Sequence, residues 1–253
     1  MTTHTLRHAG RTVCYRHFGG DGQPVMYVHG AGGDSRLWTE QAPIGPGVAV
    51  DLTGHGGSDD AALSPGPETL DAYAADLCAL ADKTDARAVV GNSMGGAVAL
   101  WAVLEDDLTP GRLVLCGTGA KLGVGEDLLA LLERDFEAAI GSLAEPGLLF
   151  SDPECAPTDR ALAALCETGS SVTWRDFATC DSFDVRDRLD AVDVPTLALT
   201  GEDDGMTPPA FTTYLGDALP DCETALLADC GHLSMLEQPR AFNERVATFL
   251  GCQ

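Results

Sequence analysis

A serine framed by glycines is the side chain best suited to chemistry in this sequence. Residues 88–91 form a short apolar run typical of a buried strand, and helix-forming residues resume at Ala97. Between them, Gly91-Asn-Ser-Met-Gly95 predicts a nucleophile elbow, a sharp strand-to-helix turn that presents the Ser93 hydroxyl. We expect a strained backbone at Ser93 and a close approach of Gly91 to Gly95, because neither glycine has a Cβ that could collide.

A histidine that could activate this serine follows later in the chain. A serine hydroxyl is a weak nucleophile, so it needs a histidine base and an acid that orients the histidine. Of the six histidines, His232 is the best placed, because its loop joins the last predicted strand to the last predicted helix. Gly231 allows a tight turn that points the imidazole along the carboxyl edge of the sheet. The alternative is a surface-loop histidine without a catalytic role.

Three acidic residues follow the end of the preceding predicted strand, which covers residues 196–200. They are Glu202, Asp203 and Asp204, and each is close enough to that strand end to reach a neighbouring loop. The residue types alone leave the choice among the three open.

The elements that must position these groups alternate between strand and helix. Strand signals cover residues 5–8, 12–18, 24–29, 48–51, 88–91, 112–116, 196–200 and 223–227, and helix signals cover residues 35–41, 68–81, 97–104 and 239–250. This alternation predicts an α/β fold with a mostly parallel central sheet and helices on both faces.

One long segment breaks the alternation. Residues 120–188 contain helix patterns at 127–140 and 158–167 and no convincing strand. We therefore predict a helical lid inserted between two strands, over the carboxyl edge of the sheet. The predicted division is a core of residues 1–119 and 189–253 and a lid of residues 120–188.

Four motifs in this order resemble those of the α/β-hydrolase superfamily, and the resemblance extends from about residue 11 to 250. Besides the elbow and the His232 loop, residues 201–208 match the superfamily pattern G-x-x-D-x-x-x-P, and residues 29–34 resemble its H-G-x-G loop. The alignment selects Asp204 as the acid, with Asp203 as second choice, and it gives the chain order Ser93, Asp204, His232. Some members carry the acid one strand earlier, but residues 116–120 contain no carboxylate.

The resemblance also implies an oxyanion hole and assigns structural roles to two other motifs. The backbone N–H groups of Met94 and Ala31 are the expected donors to a developing oxyanion. His29 is expected to hold its loop by hydrogen bonds. Residues 51–58 resemble the D-x-x-G-x-G-x-S turn of the superfamily, in which His55 and Ser58 are expected to be structural.

The predicted function is hydrolysis of a small carboxylic ester through an acyl-enzyme on Ser93, without a metal or an organic cofactor. The same three residues would serve thioesters, lactones, carbon–carbon cleavage or cofactor-free perhydrolysis, and a non-catalytic binding protein is a further alternative. Candidates for an apolar acyl pocket, which could equally pack the lid against the sheet, are Leu122, Trp174, Phe177 and Phe183, together with the Met94 side chain.

The net charge of the protein limits the kinds of molecule that it can bind. The chain has 15 Lys and Arg against 39 Asp and Glu, a net charge of −24, with Lys83 and Lys121 as its only lysines. Such a field repels nucleic acid and anionic membrane surfaces, so neither is expected as a partner. The expected partner is the small-molecule ester that the catalytic residues predict. An acidic surface of this kind indicates either adaptation to a salt-rich cytoplasm or an ordinary acidic protein.

The termini and cysteines give further expectations. The N-terminus has no apolar h-region and no apolar run approaches 18 residues, which predicts a cytoplasmic protein without signal peptide or transmembrane helix. Small buried hydrophobic roles are predicted for the nine cysteines, which lie at positions 14, 78, 116, 155, 166, 180, 222, 230 and 252 without a C-x-x-C pair.

Overall fold

The computed structural model describes residues 1–105, 107–154 and 157–252, so Cys155 lies outside the described residues. One eight-stranded sheet runs through the molecule in the order β1-β2-β4-β3-β5-β6-β7-β8. Its strands are β1 (Thr2–His8), β2 (Arg11–Phe18), β3 (Val25–Val28), β4 (Gly47–Asp51), β5 (Ala88–Asn92), β6 (Arg112–Cys116), β7 (Thr196–Gly201) and β8 (Cys222–Leu227).

Most of this sheet is parallel. β1 pairs with β2, and β2 with β4, in antiparallel fashion, whereas the pairs from β4 to β8 are parallel. The inner strands β3, β5 and β6 are buried along most of their length, which explains their continuous apolar runs. Because they are parallel, the carboxyl ends of β3, β5, β6 and β7 meet at one edge.

Helices cover both faces of the sheet, as the sequence predicts. They are α1 (Pro67–Thr84), α2 (Met94–Leu104), α3 (Glu126–Arg134), α4 (Phe136–Leu143), α5 (Thr158–Thr168), α6 (Ser170–Ser182), α7 (Pro209–Ala218), α8 (Ser234–Glu237) and α9 (Pro239–Leu250), with short 3-10 helices at Ser35–Ile44 and Leu189–Ala191. Alternate residues of β3 enter two separate cores. Met26 packs with Leu77 of α1 and Leu100 of α2, whereas Tyr27 packs with Trp38 and with Phe242 of α9.

The structure corrects the predicted helices at four places. The single helix predicted at 127–140 is two helices, because the side chain of Asp135 accepts the N–H of Ala138 and so ends α3 and begins α4. Helices α6, α7 and α8 were absent from the prediction. In α6 the reason is evident, because buried polar residues such as Arg175 and Asp176 interrupt its apolar pattern.

Residues 120–188, which carry α3 to α6, are called the inserted segment below. Its two ends pair with each other, through a bridge between Lys121 and Asp184 and a 2.8 Å bond from the Val185 N–H to the Ala120 carbonyl. The segment leaves the sheet after β6 and returns before β7.

The cysteines behave as predicted in part. Cys14, Cys116, Cys180 and Cys230 are buried and free. Cys166 is free but exposed, because it lies on the side of α5 opposite the buried residues of that helix. Among the described residues, no helix combines the length and the apolar character that crossing a bilayer requires.

Candidate active site

Ser93 stands alone between β5 and α2 in a left-handed backbone conformation, with φ 55° and ψ −122°. This positive φ is unusual for a residue with a side chain. It is possible here because the flanking glycines let the turn close tightly. A Cβ on Gly91 would lie 2.5 Å from the Gly95 carbonyl oxygen, and a Cβ on Gly95 would collide with the Val28 carbonyl oxygen. The strain predicted for the elbow is therefore present at the serine itself.

His232 and Asp204 form a buried pair at the same edge of the sheet. The His232 Nδ1 lies 3.0 Å from one carboxylate oxygen of Asp204 and 3.2 Å from the other. Asp204 also accepts hydrogen bonds from the hydroxyl of Thr200, the backbone N–H of Met206, and both the N–H and hydroxyl of Thr207. Burial favours the neutral acid, but the His232 ring and the Thr207 donors outweigh burial and lower the pKa of Asp204.

The two other acids of this loop face away from the histidine. Asp203 is exposed and accepts a 2.9 Å hydrogen bond from the hydroxyl of Ser151. Glu202 is exposed as well. Of the three acids that the sequence left open, the structure brings only Asp204 to His232. Gly117, at the end of β6, packs against this pair, because a Cβ there would lie 3.2 Å from both the Asp204 carboxylate and the His232 Nδ1.

Ser93 and His232 line one cavity of about 70 Å³. Most of its other lining side chains are apolar, and they come from the core and from the inserted segment: Leu37, Leu122, Val124, Leu149, Ala161, Leu165, Phe177, Cys180, Met206 and Leu233. Among the described residues that line it there is no lysine, arginine, aspartate or glutamate.

Three side chains suggested for the acyl pocket lie elsewhere. Trp174 is half-buried beside a groove on the outer surface. Residues three apart on a helix differ by about 60° in direction, so Trp174 points away from the side of α6 on which Phe177 and Cys180 line the cavity. Phe183 follows the end of α6 and turns into the core, where it is buried. The Met94 side chain is buried in the same core. Leu122 and Phe177 do line the cavity.

The expected oxyanion donors lie beside Ser93. The Gly33 N–H donates to the Gly30 carbonyl at 3.1 Å, which closes a tight turn with Ala31 at its outer corner and Gly32 at φ 65°. Ala31 lines the cavity. Within the described chain, neither the Ala31 N–H nor the Met94 N–H donates to another protein group. One of these unpaired donors thus belongs to a residue that lines the cavity, and the other to the residue directly after Ser93.

The residues expected to be structural are embedded in hydrogen bonds. His29 accepts the Leu52 N–H at Nε2 and contacts the Gly30 carbonyl through Nδ1. The Ser58 hydroxyl bonds to the Asp51 carbonyl and receives the Cys14 N–H. These side chains hold the loops around the cavity and do not line it.

A second buried cluster was missed by the sequence reasoning. His55 contacts the carboxylate of Asp176, which belongs to the inserted segment and also bonds Tyr73 and Gly32. The available signal was a charged pair, Arg175-Asp176, within a stretch that otherwise alternates apolar and hydroxyl residues. Burying such a pair requires partners that only the folded chain supplies.

A mostly parallel eight-stranded sheet with an elbow serine after β5 defines the class of α/β hydrolases. The chain matches the family model described as "Alpha/beta hydrolase family" over residues 25–245, and it belongs to that family.

Known proteins resemble the chain along most of its length. It is 31% identical to a dihydrolipoyllysine-residue acetyltransferase component of an acetoin cleaving system from Pseudomonas putida, over 95% of this chain and 67% of that protein. It is 26% identical to a pimeloyl-[acyl-carrier protein] methyl ester esterase from Neisseria meningitidis, over 86% of this chain and 90% of that protein. The solved structure of a thermophilic esterase superposes with a TM-score of 0.88 at 29% identity, covering 99% of this chain and 97% of that one.

Proposed function

We propose that the protein is a serine hydrolase that cleaves small carboxylic esters through an acyl-enzyme on Ser93. The observation that carries the proposal is the shared cavity of Ser93 and His232, with the His232 Nδ1 bonded to a buried Asp204. The similarity to a thermophilic esterase and to a methyl ester esterase supports the same chemistry.

In the proposed reaction His232 moves protons while Asp204 holds its ring. Nδ1 keeps its proton because it donates to Asp204, which leaves Nε2 to accept the Ser93 proton as the oxygen attacks the ester carbon. The imidazolium then protonates the departing alcohol. A water molecule then gives a proton to the same nitrogen as its oxygen attacks the acyl carbon. The imidazolium returns this proton to the Ser93 oxygen as the bond from Ser93 to the acyl group breaks and the carboxylic acid is released.

The oxyanion formed in each attack is assigned to the N–H groups of Ala31 and Met94. Met94 is the first residue of α2, so its N–H has no partner within the helix and lies at the positive end of the helix dipole. Ala31, which lines the cavity, supplies the second donor. Such donors act most strongly in a site shielded from water, and the cavity is lined mostly by apolar groups.

The cavity indicates the class of acyl group. Its volume of about 70 Å³ holds roughly five water-sized groups, since each needs about 10–15 Å³. No lysine or arginine is among its described lining residues, so a free carboxylate on the acyl chain would be buried without a partner. The proposed substrates are therefore esters of short, uncharged acids such as acetate to butyrate, and the inserted segment acts as the lid over them.

Activity measurements across bond types test this proposal. Aryl esters of increasing acyl length, thioesters, lactones, carbon–carbon substrates and peroxide-dependent acyl transfer are compared at low salt and in molar KCl. We expect the highest kcat/KM for short uncharged esters, labelling of one serine by a fluorophosphonate, and loss of both in Ser93→Ala. A Ser93→Ala protein that keeps most of the wild-type rate contradicts the proposal, and labelling without turnover of any substrate would indicate a binding protein.

A further inference from the structure

Asp176 of α6 lies fully buried beneath the loop that carries Ala31. One carboxylate oxygen accepts the backbone N–H of Gly32 at 2.8 Å and the Nε2–H of His55 at 2.8 Å, and the other accepts the hydroxyl of Tyr73 at 2.7 Å. The inserted segment thus binds the residue that follows the expected oxyanion donor.

Hydrogen bonds make His55 a cation and Asp176 an anion. The His55 Nδ1 faces the Thr53 carbonyl at 3.2 Å and its Nε2 faces the carboxylate, so both nitrogens must donate. Burial opposes the charges, but their mutual attraction outweighs it, raising the pKa of His55 and lowering that of Asp176. Gly32 therefore donates to a charged acceptor, which makes a stronger bond than a neutral one.

The loop is also fixed sterically at Gly32. A Cβ at this position would lie 2.5 Å from the Leu165 side chain and 3.0 Å from the Thr173 hydroxyl, so α5 and α6 pack directly onto the backbone. Ala31 lies between two anchored points, the bond from Gly33 to Gly30 and the bond from Gly32 to Asp176. These two bonds leave the Ala31 N–H little freedom to turn away from Ser93.

We propose that Asp176 is a positioning residue for the oxyanion hole, acting through Gly32 to aim the Ala31 N–H at the substrate oxygen. This inference rests on the proposed serine hydrolase function. Removing an oxyanion donor outright lowers kcat by about 10²–10³. Because Asp176 holds a donor and is not one itself, we expect a loss of about 10- to 100-fold when its charge is removed.

The variant Asp176→Asn tests the role, with Asp135→Asn as the matched control. Asp135 is an exposed carboxylate of the same segment that also accepts a backbone N–H, from Ala138, but it contacts no loop of the cavity. Two inhibitors of equal size separate positioning from packing. A trifluoromethyl ketone accepts the Ser93 oxygen at its carbonyl carbon and gains an oxyanion, while the Ser93 proton moves to His232. The corresponding ether fills the cavity but forms no oxyanion.

We expect Asp176→Asn to lower kcat and ketone affinity by similar factors, with KM and ether affinity close to wild type, and Asp135→Asn to match wild type throughout. Unchanged ketone affinity, or equal losses for ketone and ether, overturns the proposal.

If Asp176→Asn does not fold, His55→Gln removes the countercharge instead. This variant should weaken ketone binding severalfold, again without affecting the ether, and unchanged ketone binding overturns the proposal. Ser93→Ala is measured in parallel, because its retention of activity refutes the proposed function, whereas an active wild type with an unaffected Asp176→Asn refutes the positioning role alone.

Discussion

The imidazole rings of His29 and His55 lie 4.7 Å apart between centroids, yet their hydrogen bonds assign them different charges. His29 accepts a backbone N–H at Nε2 and is neutral, whereas His55 donates from both nitrogens and is a cation. Two adjacent cations would repel each other in a buried site. The cation pairs with Asp176 and the neutral ring supports the turn at Gly30, so each histidine serves a different contact beneath the oxyanion loop.

This arrangement predicts a pH dependence of stability. Burial and the neighbouring charge of His55 lower the pKa of His29 to about 4. An unfolded histidine titrates near 6.5, so between those values the unfolded chain binds more protons and the folded state loses stability as the pH falls. The contribution of His29 lost between pH 7 and 4.5 should be about 2–3 kcal/mol.

Urea unfolding of the wild type and His29→Gln at both pH values measures this contribution. The variant lacks the titrating ring, so its free energy of unfolding should fall less over this pH range than that of the wild type. A constant difference caused by lost hydrogen bonds does not affect the comparison. Equal pH slopes for the two proteins would show that His29 titrates normally in the folded state.

Asp204 and Asp203 offer a matched pair of substitutions in one loop. Asp204→Asn should lower kcat by about 10⁴, because the amide no longer keeps the His232 proton on Nδ1. Asp203→Asn should leave kcat near wild type, because this exposed carboxylate bonds only the hydroxyl of Ser151 among its described partners. Steady-state kinetics on a short aryl ester decides between them. The reverse order would reassign the acid to Asp203.

Replacing residues 123–182 by a short linker tests whether the inserted segment does more than enclose the substrate. The Gly147 carbonyl accepts the Gly205 N–H, and the Leu149 carbonyl accepts the Leu233 N–H, both at 3.0 Å. The segment is therefore hydrogen-bonded to the loop that carries Asp204 and to the loop that carries His232.

We expect kcat to fall at least as strongly as KM rises in the shortened protein. Leu149→Ala is the control, because it enlarges the cavity but keeps the backbone bond, and it should shift the acyl preference toward longer chains. A shortened protein with wild-type kcat and only a raised KM would show that the segment is a simple cover.

The charge of −24 predicts a salt-dependent melting temperature. The Debye length is about 30 Å at 0.01 M salt and about 3 Å at 1 M, so the repulsion among surface carboxylates should be largely screened over that range. Thermal melts from 0.01 to 3 M NaCl and KCl should therefore show a steep rise up to about 1 M. Any further increase would reflect ion binding or exclusion of the salt from the surface. A flat profile would indicate an ordinary acidic protein.

The sequence alone determined the features that depend on neighbouring residues. Gly91 and Gly95 permit the tight turn at Ser93 within five positions, and the alternation of strands and helices specifies a mostly parallel sheet whose loops share one edge. Both can be predicted because backbone sterics and hydrophobic periodicity act locally. The order of the loops places His232 and the acids at 202–204 at that edge, and the resemblance to the superfamily motif selects Asp204 among them.

Only the tertiary structure decided which side chains of the inserted segment lie over that edge of the sheet. His55 and Asp176 are 121 positions apart, and nothing in their local sequence requires them to meet. Helix α6 buries the polar residues Arg175 and Asp176, which conceals its amphipathic pattern, and the rotation of the same helix turns Phe177 toward the cavity and Trp174 away from it. Buried charges are tolerated only where distant segments supply the opposite charge and the donors, and that balance is set by the packed fold as a whole.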